Sequence, residues 1–136
     1  MARLVIADTD VVLDFFTDTP PFAQALTDLL QEGRLAVTAI TVFELYAGVL
    51  GAKRLKQIET FCESVPVFSL GLLAAAYAGK IYTDLKSTGM TVGNQDILIA
   101  GICLANGLPL LIRNSAHFAP IKGLVIATNP RDTGRR

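Results

Sequence analysis

A single α/β domain built on a mostly parallel sheet is the fold class this sequence predicts, and three observations carry it. Apolar, β-type runs alternate with stretches of helical periodicity along the chain. The first run, Leu4-Val5-Ile6-Ala7, is continuously apolar, as a strand covered on both faces would be. It ends abruptly on Asp8, with Asp10 and Asp14 close behind. In open α/β sheets ligands bind beyond the carboxyl ends of the strands, so an acid at that point stands where chemistry is usually done.

Taken in order, the strand Leu4–Ala7 leads to Thr9, a candidate N-cap for a helix whose apolar face is Val11, Val12, Phe15 and Phe16. Pro20-Pro21 interrupts that helix and starts another, with Phe22, Ala25, Leu26, Leu29 and Leu30 at helical spacing up to Gly33. A second strand follows at Leu35–Thr38, and Thr41 is read as the cap of a helix holding Val42, Phe43, Glu44, Leu45, Tyr46, Val49 and Leu50. A basic helix from Ala52 to Glu63 carries Lys53, Arg54 and Lys56 on the side expected to face solvent. Val65–Phe68 reads as a third strand, placed at the sheet edge by Pro66, which has no N–H to donate. Helical periodicity then runs from Gly71 to Lys86, and Ser87-Thr88-Gly89 stops it. After the loop Gly93-Asn94-Gln95, Asp96 opens a strongly apolar helix that Asn106-Gly107 ends as a C-cap. Leu108–Ile112 is the fourth strand, Ser115–Phe118 a short helical turn, and Leu124–Ile126 the fifth strand. This divides the chain into one domain over residues 1–130 and a polar tail over 131–136.

Composition narrows the class. A chain of 136 residues that is 51% hydrophobic can bury a core without staples and is not a disordered segment. Twelve basic and twelve acidic residues leave no net charge, so any contact with nucleic acid rests on a local patch. Cys62 and Cys103 stand far apart with one His in the chain, which reads as two buried thiols in a reducing compartment, without a zinc site. The apolar stretches are too short for a signal peptide or a membrane span, giving the expectation of a cytoplasmic protein with no membrane partner.

Three carboxylates stand out by position. Asp8 ends the first strand, Glu44 interrupts the apolar face of the helix after the second, and Asp96 begins the helix before the fourth. Asp96 alone could be a helix cap and Asp8 alone an Asx-turn residue. Glu44 is harder to dismiss, because a charge among Val42, Phe43, Leu45 and Tyr46 costs several kcal/mol unless something compensates it. A partnering Arg is one compensation and a divalent cation shared by several carboxylates is the other. Oxygen donors without a His/Cys cluster select Mg²⁺ or Mn²⁺ over zinc. Such a site activates water and neutralises charge on a phosphoryl group, which suggests metal-assisted hydrolysis of a phosphate ester.

The segments IADTDVVLDFF, AITVFELYAGV, GNQDILIAGICLANGLPLLIRNSAHF and IKGLVI, in that order and at this spacing, resemble PIN-domain ribonucleases of the VapC toxin type. The resemblance covers nearly the whole chain. It implies a three-layer α/β/α fold around a central, mostly parallel five-stranded sheet, a homodimer, and Mg²⁺-dependent endoribonuclease activity, with Mn²⁺ as a substitute. It also implies an antitoxin whose C-terminal segment blocks the acidic cleft, and a structured RNA substrate of the tRNA or rRNA class. Residue by residue, Asp8, Glu44 and Asp96 match the family's metal-binding acids, and Thr9 and Asp14 match supporting positions. Asp10 departs from the family's usual Asn. Asn114 stands where a further acid is common, followed by His117-Phe118, and could offer a metal its carbonyl oxygen directly or through water. Arg113 and Lys86 are candidates for RNA phosphates. Lys53, Arg54 and Lys56 read better as a solvated face, and Tyr46 and Tyr82 as packing or dimer residues.

Two other readings compete. Asp8-Thr9-Asp10 after an apolar strand also resembles the start of haloacid-dehalogenase-type phosphatases, with Asp8 as nucleophile and Thr38 as the phosphate-binding hydroxyl. That reading lacks the later Lys and paired-Asp motif and leaves Glu44 unexplained. The other is a catalytically silent PIN fold that binds RNA or a protein partner. A phosphorelay receiver domain is excluded, because Lys53–Gln57 offers no acceptor Asp.

Overall fold

The computed structural model describes residues 3–127. The tail assigned to 131–136 lies outside the described residues. Five short strands form the sheet: β1 (Val5–Ala7), β2 (Leu35–Thr38), β3 (Val67–Phe68), β4 (Leu110–Leu111) and β5 (Ile126–Ala127). Six helices connect them: α1 (Thr9–Phe16), α2 (Phe22–Gln31), α3 (Ala39–Ala47), α4 (Ala52–Ser64), α5 (Leu72–Ser87) and α6 (Asn94–Asn106). The strand order is β3-β2-β1-β4-β5, and every neighbouring pair is parallel. From β1 the chain first builds outward through β2 to β3, then returns to place β4 on the other side of β1. The order therefore reverses between β1 and β4, and a crevice opens there beyond their carboxyl ends.

Alternation along β1 sorts the core into two layers. Val5 and Ala7 pack with Val11, Val12, Leu26, Leu29, Phe61 and other residues of α1, α2 and α4 on one face. Ile6 points the other way, into Ala78, Ile81, Leu85, Ile97, Ile99 and Cys103 of α5 and α6. All three β1 side chains are fully buried, which is why the run is apolar without interruption. Burying a side chain the size of Ile6 contributes about 1.5–3 kcal/mol. The three-layer α/β/α architecture expected from the sequence is thus present.

On the second face, α5 and α6 meet through small residues. A Cβ at Gly101 would come within 2.6 Å of the Ala74 carbonyl oxygen and 3.0 Å of the Ala78 Cβ. That close approach fixes α6, which carries Asp96. The C-terminus of α6 is closed by Gly107 in the left-handed region (φ 62°), with Leu108 N–H donating to the Cys103 carbonyl at 3.1 Å, as the Asn-Gly pair suggested.

Several boundaries differ from the sequence reading. Four of the strands are shorter than read, β2 keeps its bounds of Leu35–Thr38, and β5 begins at Ile126. Asp8, not Thr9, is the N-cap residue of α1, and its side chain makes no cap hydrogen bond. Thr38, not Thr41, caps α3: its hydroxyl accepts from the Thr41 N–H at 3.1 Å. Helix α6 starts at Asn94, two residues before Asp96, so Asp96 lies inside its first turn. The edge position of β3 is as read from Pro66. Cys103 is buried and Cys62 half-buried, both as free thiols. Arg54 is not simply solvated, since its guanidinium lies 5.3 Å from the Phe16 ring centroid.

Candidate active site

Asp8 is pinned at the crevice by the sheet itself. Its N–H donates to the Leu111 carbonyl at 2.9 Å, the last bond between β1 and β4, and its carbonyl accepts from Val11 and Val12 at 3.1 Å each. The extended backbone of Asp8 (φ −70°, ψ 159°) makes the strand-to-helix bend and leaves the carboxylate beyond the strand end. The residue is 8% exposed. Burial pushes its carboxyl up from 3.8 to about 7, opposed by the Thr9 N–H and reinforced by the negative charges of Asp96, Asp10 and Glu44.

Glu44 sits in the second turn of α3, half-buried, and is held by Thr9. The Thr9 hydroxyl donates to Glu44 Oε1 at 2.6 Å and stands 2.9 Å from the Thr41 hydroxyl. With the Thr9 proton committed to the carboxylate, Thr41 is the donor of the second bond. A Thr41–Thr9–Glu44 chain therefore fixes the acid across two helices. Asp96 approaches from the other layer, in the first turn of α6, with its Oδ2 3.9 Å from His117 Nδ1. Burial raises the Asp96 carboxyl, His117 lowers it, and Glu44 and Asp10 raise it further. Asp8, Glu44 and Asp96, named from the sequence, thus lie within electrostatic reach of one another at the switch point, and Asp10 lies with them. Among the described residues, no Lys or Arg forms an ion pair with Asp8, Glu44 or Asp96.

The remaining expected positions divide. Asp14 is buried and takes a 2.7 Å bond from Arg113 Nη1, while Arg113 Nη2 lies 3.7 Å from Asp10 Oδ2. Asn114 uses its carbonyl oxygen to accept from the Ala116 N–H at 3.1 Å, capping the 3₁₀ turn Ser115–His117. Its amide nitrogen is 3.5 Å from His117 Nε2. Lys86, exposed in the last turn of α5, lines a separate cavity of about 170 Å³ with Tyr82, Met90 and Val92. The Thr38 hydroxyl is fully buried and spent on capping α3, which removes it as a phosphate ligand. Two residues at the site had no such role in the sequence reading. Thr41 was legible as lying three positions before Glu44 on one helix face. His117 is brought to Asp96 by the turn after β4, which the buried Phe118 anchors.

Fold and site together define a parallel α/β protein with an acidic cleft at its switch point. The chain belongs to the PIN-domain family, whose profile matches residues 5–123. Within that family it is similar to the VapC ribonucleases. It is 30% identical over 101 residues to the tRNA(fMet)-specific endonuclease VapC of Salmonella typhimurium, covering 71% of this chain and 76% of that one. It is 29% identical over 126 residues to ribonuclease VapC1 of Haemophilus influenzae, covering 89% and 94%. VapBC2 of Rickettsia felis, solved bound to a DNA fragment from its promoter, contains a chain that superposes with a TM-score of 0.81 at 22% identity, over 92% of this chain and 98% of that one. At that identity the likeness carries the fold. Family membership leaves the aspartyl-phosphate phosphatase reading without support.

Proposed function

We propose that the chain is a divalent-metal-dependent endoribonuclease and the toxin of a toxin–antitoxin pair. The observation that carries the reading is Asp8, a buried carboxylate at the switch point, surrounded by the negative charges of Asp96, Asp10 and Glu44 and raised to about 7. Such a concentration of like charge is costly to a fold and useful to a cation.

The donor chemistry fits Mg²⁺ or Mn²⁺: the converging atoms are carboxylate oxygens, and the cleft has no thiolate pair. Among the described residues, no three acidic, His or Cys side chains already form a ligand set, so holding a cation requires these side chains to turn inward. Asp8, Glu44 and Asp96 would hold it, and it would there supply polarisation of a phosphoryl oxygen and acidification of water. Thr9, backed by Thr41, fixes the Oε1 end of the Glu44 carboxylate. Burial holds the Asp8 carboxyl up at about 7, so serving as a ligand near neutrality would entail loss of its proton. Lys86 and the outward side of Arg113 are the cations offered to RNA phosphates.

The partner assignment is supported by the relatives and by surface. A groove of about 470 Å³ between α1, α2 and α4, walled by Phe15, Phe16, Leu30 and Phe61 with Lys56 at its side, has the apolar character of a seat for an antitoxin segment. A homodimer is supported by apolar side chains left in solvent on α3 and the start of α5, including Phe43, Tyr46, Leu72, Leu73 and Tyr77.

The test is cleavage of total RNA by purified protein with Mg²⁺, with Mn²⁺ and with chelator, beside the Asp96→Asn variant. Discrete fragments that need the metal and vanish in the variant are expected. Equal cleavage by the variant, or cleavage in chelator, would overturn the reading.

A further inference from the structure

Arg113 lies two residues beyond the carboxyl end of β4, the strand paired with β1, which leads into α1. It reaches across to two acids of that helix: Nη1 to Asp14 Oδ1 at 2.7 Å and Nη2 to Asp10 Oδ2 at 3.7 Å. The two acids differ. The Asp14 side chain is 9% exposed and has no rival use, so its bond to Arg113 is a structural anchor. The Asp10 side chain is 46% exposed, and its charge acts on both Asp8 and Asp96. Asp10 is thus a fourth carboxylate within electrostatic reach of the cleft, and its side chain is ion-paired with a guanidinium.

We propose that Arg113 is a positioning residue that holds Asp10 out of the metal-ligand set, keeping the cleft a three-carboxylate site of Asp8, Glu44 and Asp96. Anchored on Asp14, its planar fork presents the second nitrogen to Asp10 at a fixed place, which a flexible lysine ammonium would not do. Without it, Asp10 is free to turn inward and join the cation. The inference rests on the metal-dependent reading given above.

A double-mutant cycle separates this role from a general charge effect. Mn²⁺ affinity is measured by isothermal titration calorimetry on the full chain for the parent, Arg113→Gln, Asp10→Asn and the double variant. Gln retains a donor for Asp14, and circular dichroism verifies each fold. The same cycle in an Asp14→Asn background serves if Arg113→Gln alone does not fold. Arg113→Gln is expected to bind Mn²⁺ about tenfold more tightly, and Asp10→Asn to cancel that gain in the double variant. Asp10→Asn with Arg113 in place is expected to change affinity less than threefold. Additive effects, with Asp10→Asn weakening binding equally in both backgrounds, would overturn the positioning role and leave the metal reading intact. Failure of the parent itself to bind Mn²⁺ would overturn both.

Discussion

Asp8 concentrates the conflict between stability and function. With its carboxyl at about 7 in the fold against 3.8 in an exposed chain, the folded state binds more protons than the unfolded state between those values. Stability of the metal-free protein therefore falls as pH rises from about 4 to about 7, and each pKa unit corresponds to about 1.4 kcal/mol. Asp8→Asn is expected to remove most of that slope and to raise the melting temperature at pH 8 in chelator. Thermal melts at pH 5 and pH 8 test it, and a parent protein more stable at pH 8 than at pH 5 would contradict it. The three principal acids stood out in the sequence because Asp8 ends a strand, Glu44 breaks an apolar pattern and Asp96 stands at the start of an apolar helix. The hydroxyls that hold Glu44 were not readable in that role. Thr9 reaches Glu44 across 35 positions, and only the packing of α1 on α3 brings them together.

Helix α6 delivers Asp96, and its placement depends on having no side chain at Gly101. Gly101→Val would drive a branched side chain into the Ala74 carbonyl. The expected cost is about 1–3 kcal/mol, with loss of metal-dependent activity as Asp96 shifts. Denaturant unfolding and cleavage assays measure the two effects, and a variant with parental stability would refute the packing argument. Apolar runs and helical periodicity located the six helices and five strands, most of which bury a face of their own, β3 at the exposed edge being the exception. It placed their ends less well. Caps depend on which hydroxyl finds a free N–H, as Thr38 finds that of Thr41. Strand length depends on partners that no local pattern names.

The parallel sheet and its reversal between β1 and β4 explain why acids from distant segments meet at one edge. Alternating strands and helices made the fold class legible, but the strand order that puts β4 beside β1 rests on long-range pairing. The exposed apolar side chains of α3 and α5 are the surface assigned to the proposed homodimer. Light scattering is expected to give twice the 14.5 kDa chain mass, and Leu73→Asp to shift the protein toward the monomer. A monomeric parent at tens of micromolar would contradict the dimer. The proposed function rests on cation binding by the carboxylates at the switch point, and proton release on Mn²⁺ binding tests it most directly. Calorimetry at pH 7 in two buffers of different ionisation enthalpy should show net proton release on binding, because burial holds the Asp8 carboxyl up at about 7. Asp8→Asn should abolish the release and weaken binding. Mn²⁺ binding with no proton release and unchanged in Asp8→Asn would place the cation elsewhere and contradict the site.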